Sequence, residues 1–192
     1  MATRVRVIAE RTLANGRFRL SRIRAEIEEA DGVRREIDHE IYHHGAAAAI
    51  LLYDPERGVM LLVRQFRLGA YVADGALATL EACAGMLDGD EPEACARREA
   101  FEETGVRIDS ARHAFDAFTS PGSLTEKIAC FVAPFAAADR VGHGGGVDDD
   151  EHIEVVEVGG EEAEAMIASG AIRDAKTIAL IYYAKANGLL GV

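Results

Sequence analysis

Positive charge is in short supply in this chain. It carries 21 Lys and Arg against 33 Asp and Glu, for a formal net charge of −12. That balance argues against general binding of nucleic acid or of an anionic membrane, both of which need a basic surface. It leaves room for a small anionic substrate gripped by a few local cations. Long apolar runs are lacking too. None approaches the roughly 20 residues that a membrane-spanning helix needs. The opening stretch alternates charged and apolar residues and has no continuous apolar region of the kind a signal peptide needs. Cysteine is sparse: Cys83, Cys95 and Cys130 are odd in number and have no metal-ligand spacing. They read as buried thiols in a reducing compartment. The expectation is a soluble, cytoplasmic protein with no nucleic-acid or membrane partner. No internal repeat is present.

What is there is hydrophobic residue in quantity, 49% of a 192-residue chain. That is enough for a sizeable core in one domain, or in one domain with a small appendage. Residues 3–43 alternate with period two, as in RVRVIAE and RFRLSRIRAEIEE, and predict strands joined by a turn at Asp31-Gly32. Their polar faces are heavily charged, so these strands have a wet side or meet a partner. Residues 46–67 are more apolar and predict two strands of a buried central sheet. A short strand is predicted over 77–85, then a helix over 91–104. Asp90 is its predicted N-cap, Glu93 completes a capping box, and Gly105 ends the helix. Further strands are predicted near 113–119, 127–135 and 153–158, and helices near 161–169 and 174–188. The fold class is α/β (α+β), a mixed sheet with helices. The expected boundary separates a strand-rich arm, 1–45, from a catalytic domain, 46–192.

The unusual segment is AGMLDGDEPEACARREAFEETGV, residues 84–106, with acids at Asp88, Asp90, Glu91, Glu93, Glu99, Glu102 and Glu103. On a helix, Glu99, Glu102 and Glu103 share a face, and Glu99 and Glu103 are separated by a rise of roughly 6 Å. Such carboxylates either form a solvated face or share a cation. A cluster of hard oxygen ligands suits Mg²⁺, with Mn²⁺ an alternative. Arg98 stands four residues before Glu102 and can brace it. Gly85 lets backbone approach a ligand closely.

The stretch from Arg98 to Val106 resembles the second half of the Nudix box, G-x5-E-x7-R-E-U-x-E-E-x-G-U, where U is a bulky apolar residue. The first half departs from it: Gly85 and Asp90 read G-x4-D-x7-R-E, one residue short. Residues 83–97, CAGMLDGDEPEACAR, look like the GDP-mannose pyrophosphatase branch of the Nudix hydrolases. So do EIYHHG (40–45), ILLYD (50–54), LVRQFR (62–67), SPG with LTE (120–126), GGGVDD (144–149), IEV (153–155) and IRDAKT (172–177). The resemblance implies a Nudix fold and a mixed sheet sandwiched between helices. It implies a homodimer that exchanges its N-terminal strands, and Mg²⁺-dependent cleavage of GDP-mannose to GMP and mannose 1-phosphate. It places metal ligands at the Ala84 carbonyl, Glu99, Glu103 and Glu151, with Glu102 a candidate for a second ion. Glu99, Glu103 and Glu151 are the expected catalytic carboxylates, and Glu151, on the loop after GHGGG, is expected to close on the substrate and position the attacking water. Substrate contacts fall on the backbone of Ala84, Gly85 and Met86, on Glu40 from the partner subunit, and on Arg67, Glu126, Asp150 and Lys176. At 17 and 38–39 the chain has Arg17, Asp38 and His39, which depart from the family's residue types.

Taken alone, Arg67, Lys176, Glu126 and Glu151 also read as solvated surface charges, and the stretch with glycines 142 and 144–146 as a passive surface loop instead of a flexible lid. Two other activities fit the same sequence. One is an ADP-ribose or ADP-sugar pyrophosphatase. The other is a Nudix-fold regulator that binds a nucleotide sugar without cleaving it.

Overall fold

The computed structural model describes residues 1–146 and 152–190. The chain divides into two compact units: Met1–Ala46 with Phe118–Lys127, and Ala47–Ala117 with Ile128–Val192.

The first unit is an antiparallel sheet of β1 (Ala2–Asn15), β2 (Arg19–Glu29) and β3 (Arg34–His43), in that order. Its period-two sequences form strands as expected. Asp31 and Gly32 make the turn, with Gly32 at φ 82° and the Val33 amide donating to the Asp31 carboxylate. Three register irregularities interrupt the β1–β2 ladder. Charges pair across the sheet: Arg6 with Glu26, Arg22 with Asp38, and Arg35 with Glu29. Residues 118–127 return to this unit, where Tyr42 exchanges backbone hydrogen bonds with Ser123 and Thr125. β1 keeps Val5 and Val7 exposed.

The second unit is built on β4 (Ala47–Asp54), β5 (Val59–Gln65), β8 (Arg112–Phe118), β9 (Lys127–Pro134) and β10 (Glu154–Gly159). Among the described residues they run in the order β10-β5-β4-β9-β8. Short strands β6 (Thr79–Glu81) and β7 (Cys83–Met86) pair with β5 and β4 respectively. β4 and β9 are parallel, while β4–β5, β5–β10 and β4–β7 are antiparallel, so the sheet is mixed.

Alternation along β4 sorts the core into two layers, because successive side chains point to opposite faces. Ala48, Ile50 and Leu52 pack with Cys95, Ala96 and Ala100 of helix α2 (Pro92–Thr104). Ala47, Ala49 and Leu51 pack with Ala163 of α3 (Gly160–Ala168) and with Leu180, Ile181 and Ala184 of α4 (Ala175–Ala186). The result is a mixed sheet between helices. Burying each large aliphatic side chain fully, as at Ile50, Leu51, Leu61 and Leu62, contributes about 1.5–3 kcal/mol.

The sequence did not predict helix α1 (Leu68–Asp74), which buries none of its residues and so has no apolar stripe to read. The capping box at α2 also differs from expectation. The N-cap residue is Glu91, and its side chain makes no cap hydrogen bond. The Asp90 carboxylate turns instead to Arg98 at 3.4 Å, and the Glu93 carboxylate accepts from the Ala111 amide. The cause is the tight turn at Asp88-Gly89, with φ values of 45° and 100° and the Asp90 amide bonded to the Leu87 carbonyl. It delivers the chain with Pro92 at the first helical position, where no amide hydrogen needs a cap.

Candidate metal and diphosphate site

α2 lies against β7, and the contact is close. A Cβ built on Gly85 would sit 2.0 Å from Glu99 Oε1 and 2.8 Å from Oε2. The Glu99 carboxylate therefore covers the space that any other residue's side chain would fill, beside the backbone of Ala84 and Gly85. Arg98 Nη1 lies 2.8 Å from Glu99 Oε1 and 2.9 Å from Glu102 Oε2. Arg98 Nη2 lies 3.4 Å from the Met86 carbonyl. One guanidinium thus joins the two half-buried acids of the helix to β7. Burial works against that positive charge, but Glu99 and Glu102 outweigh it and raise the pKa of Arg98 above its ordinary value.

Glu103 takes the inner side of α2 and is only 4% exposed. The Cys83 thiol is driven well above its usual pKa, first by burial and then by the charge of Glu103 and a hydrogen bond to it. All three cysteines are free and buried. The Cys95 thiol lies 3.3 Å from the Met86 carbonyl. Carboxylates of Glu99 and Glu103 thus bracket residues 83–85. Two hard carboxylates beside a strand backbone form a donor set that fits a divalent cation. Among the described residues, no three His, Cys, Asp or Glu side chains already converge as a closed metal cage. Glu151 and Asp150 lie outside the described residues.

The C-terminal end of α2 holds the glycine-rich stretch. Gly142, Gly145 and Gly146 amides donate to the carbonyls of Gly105, Glu103 and Glu102. Gly144 has φ 67°, and a Cβ there would come within 2.6 Å of the Glu103 carbonyl oxygen. Residues 142–146 were expected to be loop joints. The glycines at this point permit close backbone packing against the acidic helix.

A second cluster in the same unit was not anticipated. Arg67, the N-cap residue of α1, donates to Glu81 through Nε and Nη2, both at 3.0 Å. Lys176 Nζ reaches Glu81 Oε2 at 2.8 Å and Asp174 Oδ2 at 2.9 Å. The Thr79 hydroxyl donates to Glu81 Oε1 at 2.6 Å. Asp174 also caps α4, accepting from the Thr177 amide at 3.0 Å. Lys176 is not the surface lysine it could have been, since its side chain is 13% exposed and held between two carboxylates. The field of Glu103 also acts on Arg67, so this cluster lies within electrostatic range of the acidic helix.

Glu81 itself is 4% exposed. Burial pushes its carboxyl up, but the hydrogen bonds from Arg67 and the charge of Lys176 prevail and hold it down at about 2. A carboxyl depressed when folded stabilises the fold above its unfolded value near 4.5. That share disappears as pH falls from there toward 2. The shift corresponds to on the order of 3 kcal/mol. We expect urea unfolding to show a steep loss of stability below pH 4.5 in the wild type and a shallower one in Glu81→Gln. Parallel acid profiles would refute this contribution. A lone Glu inside the apolar strand TLEACA was the sequence signal for this residue, because charges are almost never buried unless paired.

In the first unit, Glu126 Oε1 lies 2.8 Å from His44 Nδ1, beside a ring cluster of Phe18, Tyr42 and His44. Glu40 is an exposed residue of β3, facing Arg22 in the β2–β3 register.

The NUDIX domain profile matches residues 43–181, and this chain belongs to the Nudix family. A GDP-mannose pyrophosphatase of Cronobacter sakazakii is 42% identical over 99% of this chain and all of its own length. Relatives of the same description from Yersinia enterocolitica and Escherichia coli are 44% and 38% identical, again over 99% of this chain. A crystal structure of an ADP compounds hydrolase superposes with a TM-score of 0.74 at 17% identity, covering 98% of both chains. It has the same fold. Nudix hydrolases generally need a divalent metal, which suits the oxygen donors around residues 83–85. Among the described residues, no helix is long and apolar enough to cross a membrane.

Proposed function

We propose that this protein hydrolyses the pyrophosphate of a nucleotide sugar, with GDP-mannose as substrate and GMP and mannose 1-phosphate as products. The observation that carries this reading is the end-to-end similarity to GDP-mannose pyrophosphatases, at 42–44% identity over 99% of this chain.

Glu99, Glu103 and the Ala84 carbonyl would hold Mg²⁺, with Glu102 available to a second ion and Glu151 contributing from beyond the described residues. The bound cation would supply positive charge against the diphosphate oxygens of an anionic substrate entering an acidic protein. Arg67 and Lys176 grip the diphosphate, and the backbone of Gly85 and Met86 lies along it. Arg98 fixes Glu99 and Glu102 so that they meet the cation in one geometry. Glu151 orients the attacking water. Asp150, Glu126 and the partner's Glu40 complete the substrate contacts. The homodimer this requires is supported by β1, whose Val5 and Val7 are exposed. The arm at 1–45 would be its dimerisation element and 46–192 the hydrolase domain.

The test is incubation with GDP-mannose, ADP-ribose, GDP-glucose and ADP-glucose plus Mg²⁺, identifying the monophosphates released. We expect GMP and mannose 1-phosphate to form fastest. Preferential release of AMP would transfer the assignment to ADP-sugars. Cleavage of none of the four with any divalent ion would favour a binding regulator.

A further inference from the structure

We propose that Glu81 is a positioning residue for the hydrolysis: a buried counter-anion that holds Arg67 and Lys176 in one fixed arrangement facing the diphosphate. This rests on the reading that those two cations grip the substrate. Glu81 itself is assigned to neither metal nor substrate by the Nudix box or by the resemblance that placed the other site residues.

The geometry separates this role from a chemical one. Both oxygens of Glu81 are fully occupied. Oε1 accepts from Arg67 Nε and the Thr79 hydroxyl, and Oε2 from Arg67 Nη2 and Lys176 Nζ. A carboxylate with four donors on it has no lone pair directed at a cation or a water, so it is neither ligand nor base. The cations are only partly consumed. Arg67 presents five N–H groups; one on Nε and one on Nη2 go to Glu81, leaving the Nη1 edge and the second Nη2 hydrogen for a ligand. Its side chain is 44% exposed, while that of Glu81 is 5% exposed. The anchor is therefore buried and the working edge is open.

A guanidinium held through two parallel hydrogen bonds loses the rotamer freedom of a long side chain before the substrate arrives. Lys176 is tied by the same carboxylate and by Asp174, which is itself fixed as the cap of α4. The two cations come from distant stretches, the end of β5 and the start of α4. Glu81 is hydrogen-bonded to both. The order imposed is specific to a ligand with two adjacent anionic groups, which a diphosphate is.

Glu81→Gln keeps the size and an acceptor oxygen but removes the charge. We expect KM for GDP-mannose to rise about tenfold or more with kcat within about threefold. Cations that bind substrate and transition state alike act on KM alone. In an Arg67→Ala background the same change should have a smaller effect on KM, because only the route through Lys176 remains. Glu81→Asp retains the charge but withdraws it by one methylene. A raised KM in that variant supports positioning and decides the matter if Glu81→Gln fails to fold. Wild-type KM in a folded variant, a lowered KM, or full additivity with Arg67→Ala would each overturn the proposal. Failure of the underlying reading looks different: Arg67→Ala and Lys176→Ala would each keep the wild-type KM, or the wild type itself would leave GDP-mannose intact.

Discussion

Glu103→Gln is expected to lose Mg²⁺-dependent turnover by roughly 10³ or more, corresponding to several kcal/mol of lost charge stabilisation in the transition state. The side chain sits on the buried flank of α2 at 4% exposure, and glutamine has nearly the same shape. Packing should therefore survive. Removing the charge relieves its burial, and the amide oxygen can still accept from the Cys83 thiol. A thermal midpoint within a few degrees of wild type, together with an unchanged circular dichroism spectrum, would assign the loss to the site. Activity within threefold of wild type would refute Glu103 as a ligand. A large drop in midpoint would mean that the carboxylate chiefly holds β7 to the helix.

The second large effect is expected at Gly85. An alanine Cβ there would be 2.0 Å from Glu99 Oε1. The obstructed atom is the far end of a flexible side chain, so Glu99 can swing aside and the strand need not move. Stability should change by less than about 1 kcal/mol. The displaced carboxylate, however, no longer lies along the backbone at 84–85. Apparent Mg²⁺ affinity is expected to fall about tenfold to a hundredfold, the range seen when the support of a metal ligand is disturbed. Titrating turnover with Mg²⁺, and measuring Mn²⁺ binding directly by calorimetry, gives two readouts. An unaltered metal dependence in Gly85→Ala would show that the ion does not use Glu99 where it now lies.

These two substitutions also mark what could be read without coordinates. Acids at 99, 102 and 103 share a helix face by arithmetic alone. The apolar run at 46–67 likewise marked two strands of a buried central sheet. At Gly85 the sequence suggested a close approach of backbone to a ligand, and the structure places the Glu99 carboxylate in that space. Glu81, by contrast, is a single acid in a short strand. Its partners at 67, 174 and 176 are brought to it by tertiary packing, which no local pattern encodes. Asp90 and Glu93 had the spacing of a capping box, yet the Asp88-Gly89 turn directed them to Arg98 and Ala111. The glycines near 144 carry the composition of a flexible loop, while their backbone is bonded to the carbonyls ending α2. Composition reports what a backbone can do, and packing decides which use is made of it.

The parallel ladder between β4 and β9 has a kinetic implication. It joins residue 47 to residue 128, so a long loop must close before the first of its hydrogen bonds forms. By contrast, β4 and β5 form a hairpin, and β7 and α2 also lie within 47–104, with β7 pairing to β4 across a shorter separation than β9 does. The acidic helix and its strand can therefore assemble early, with β9 and α4 docking afterwards and setting the folding rate. On this view the half of the site proposed to bind metal matures before the half proposed to grip the diphosphate. Lys176 and Asp174 arrive with α4, and Arg67 and Glu81 acquire their full set of partners only when the chain has nearly finished folding.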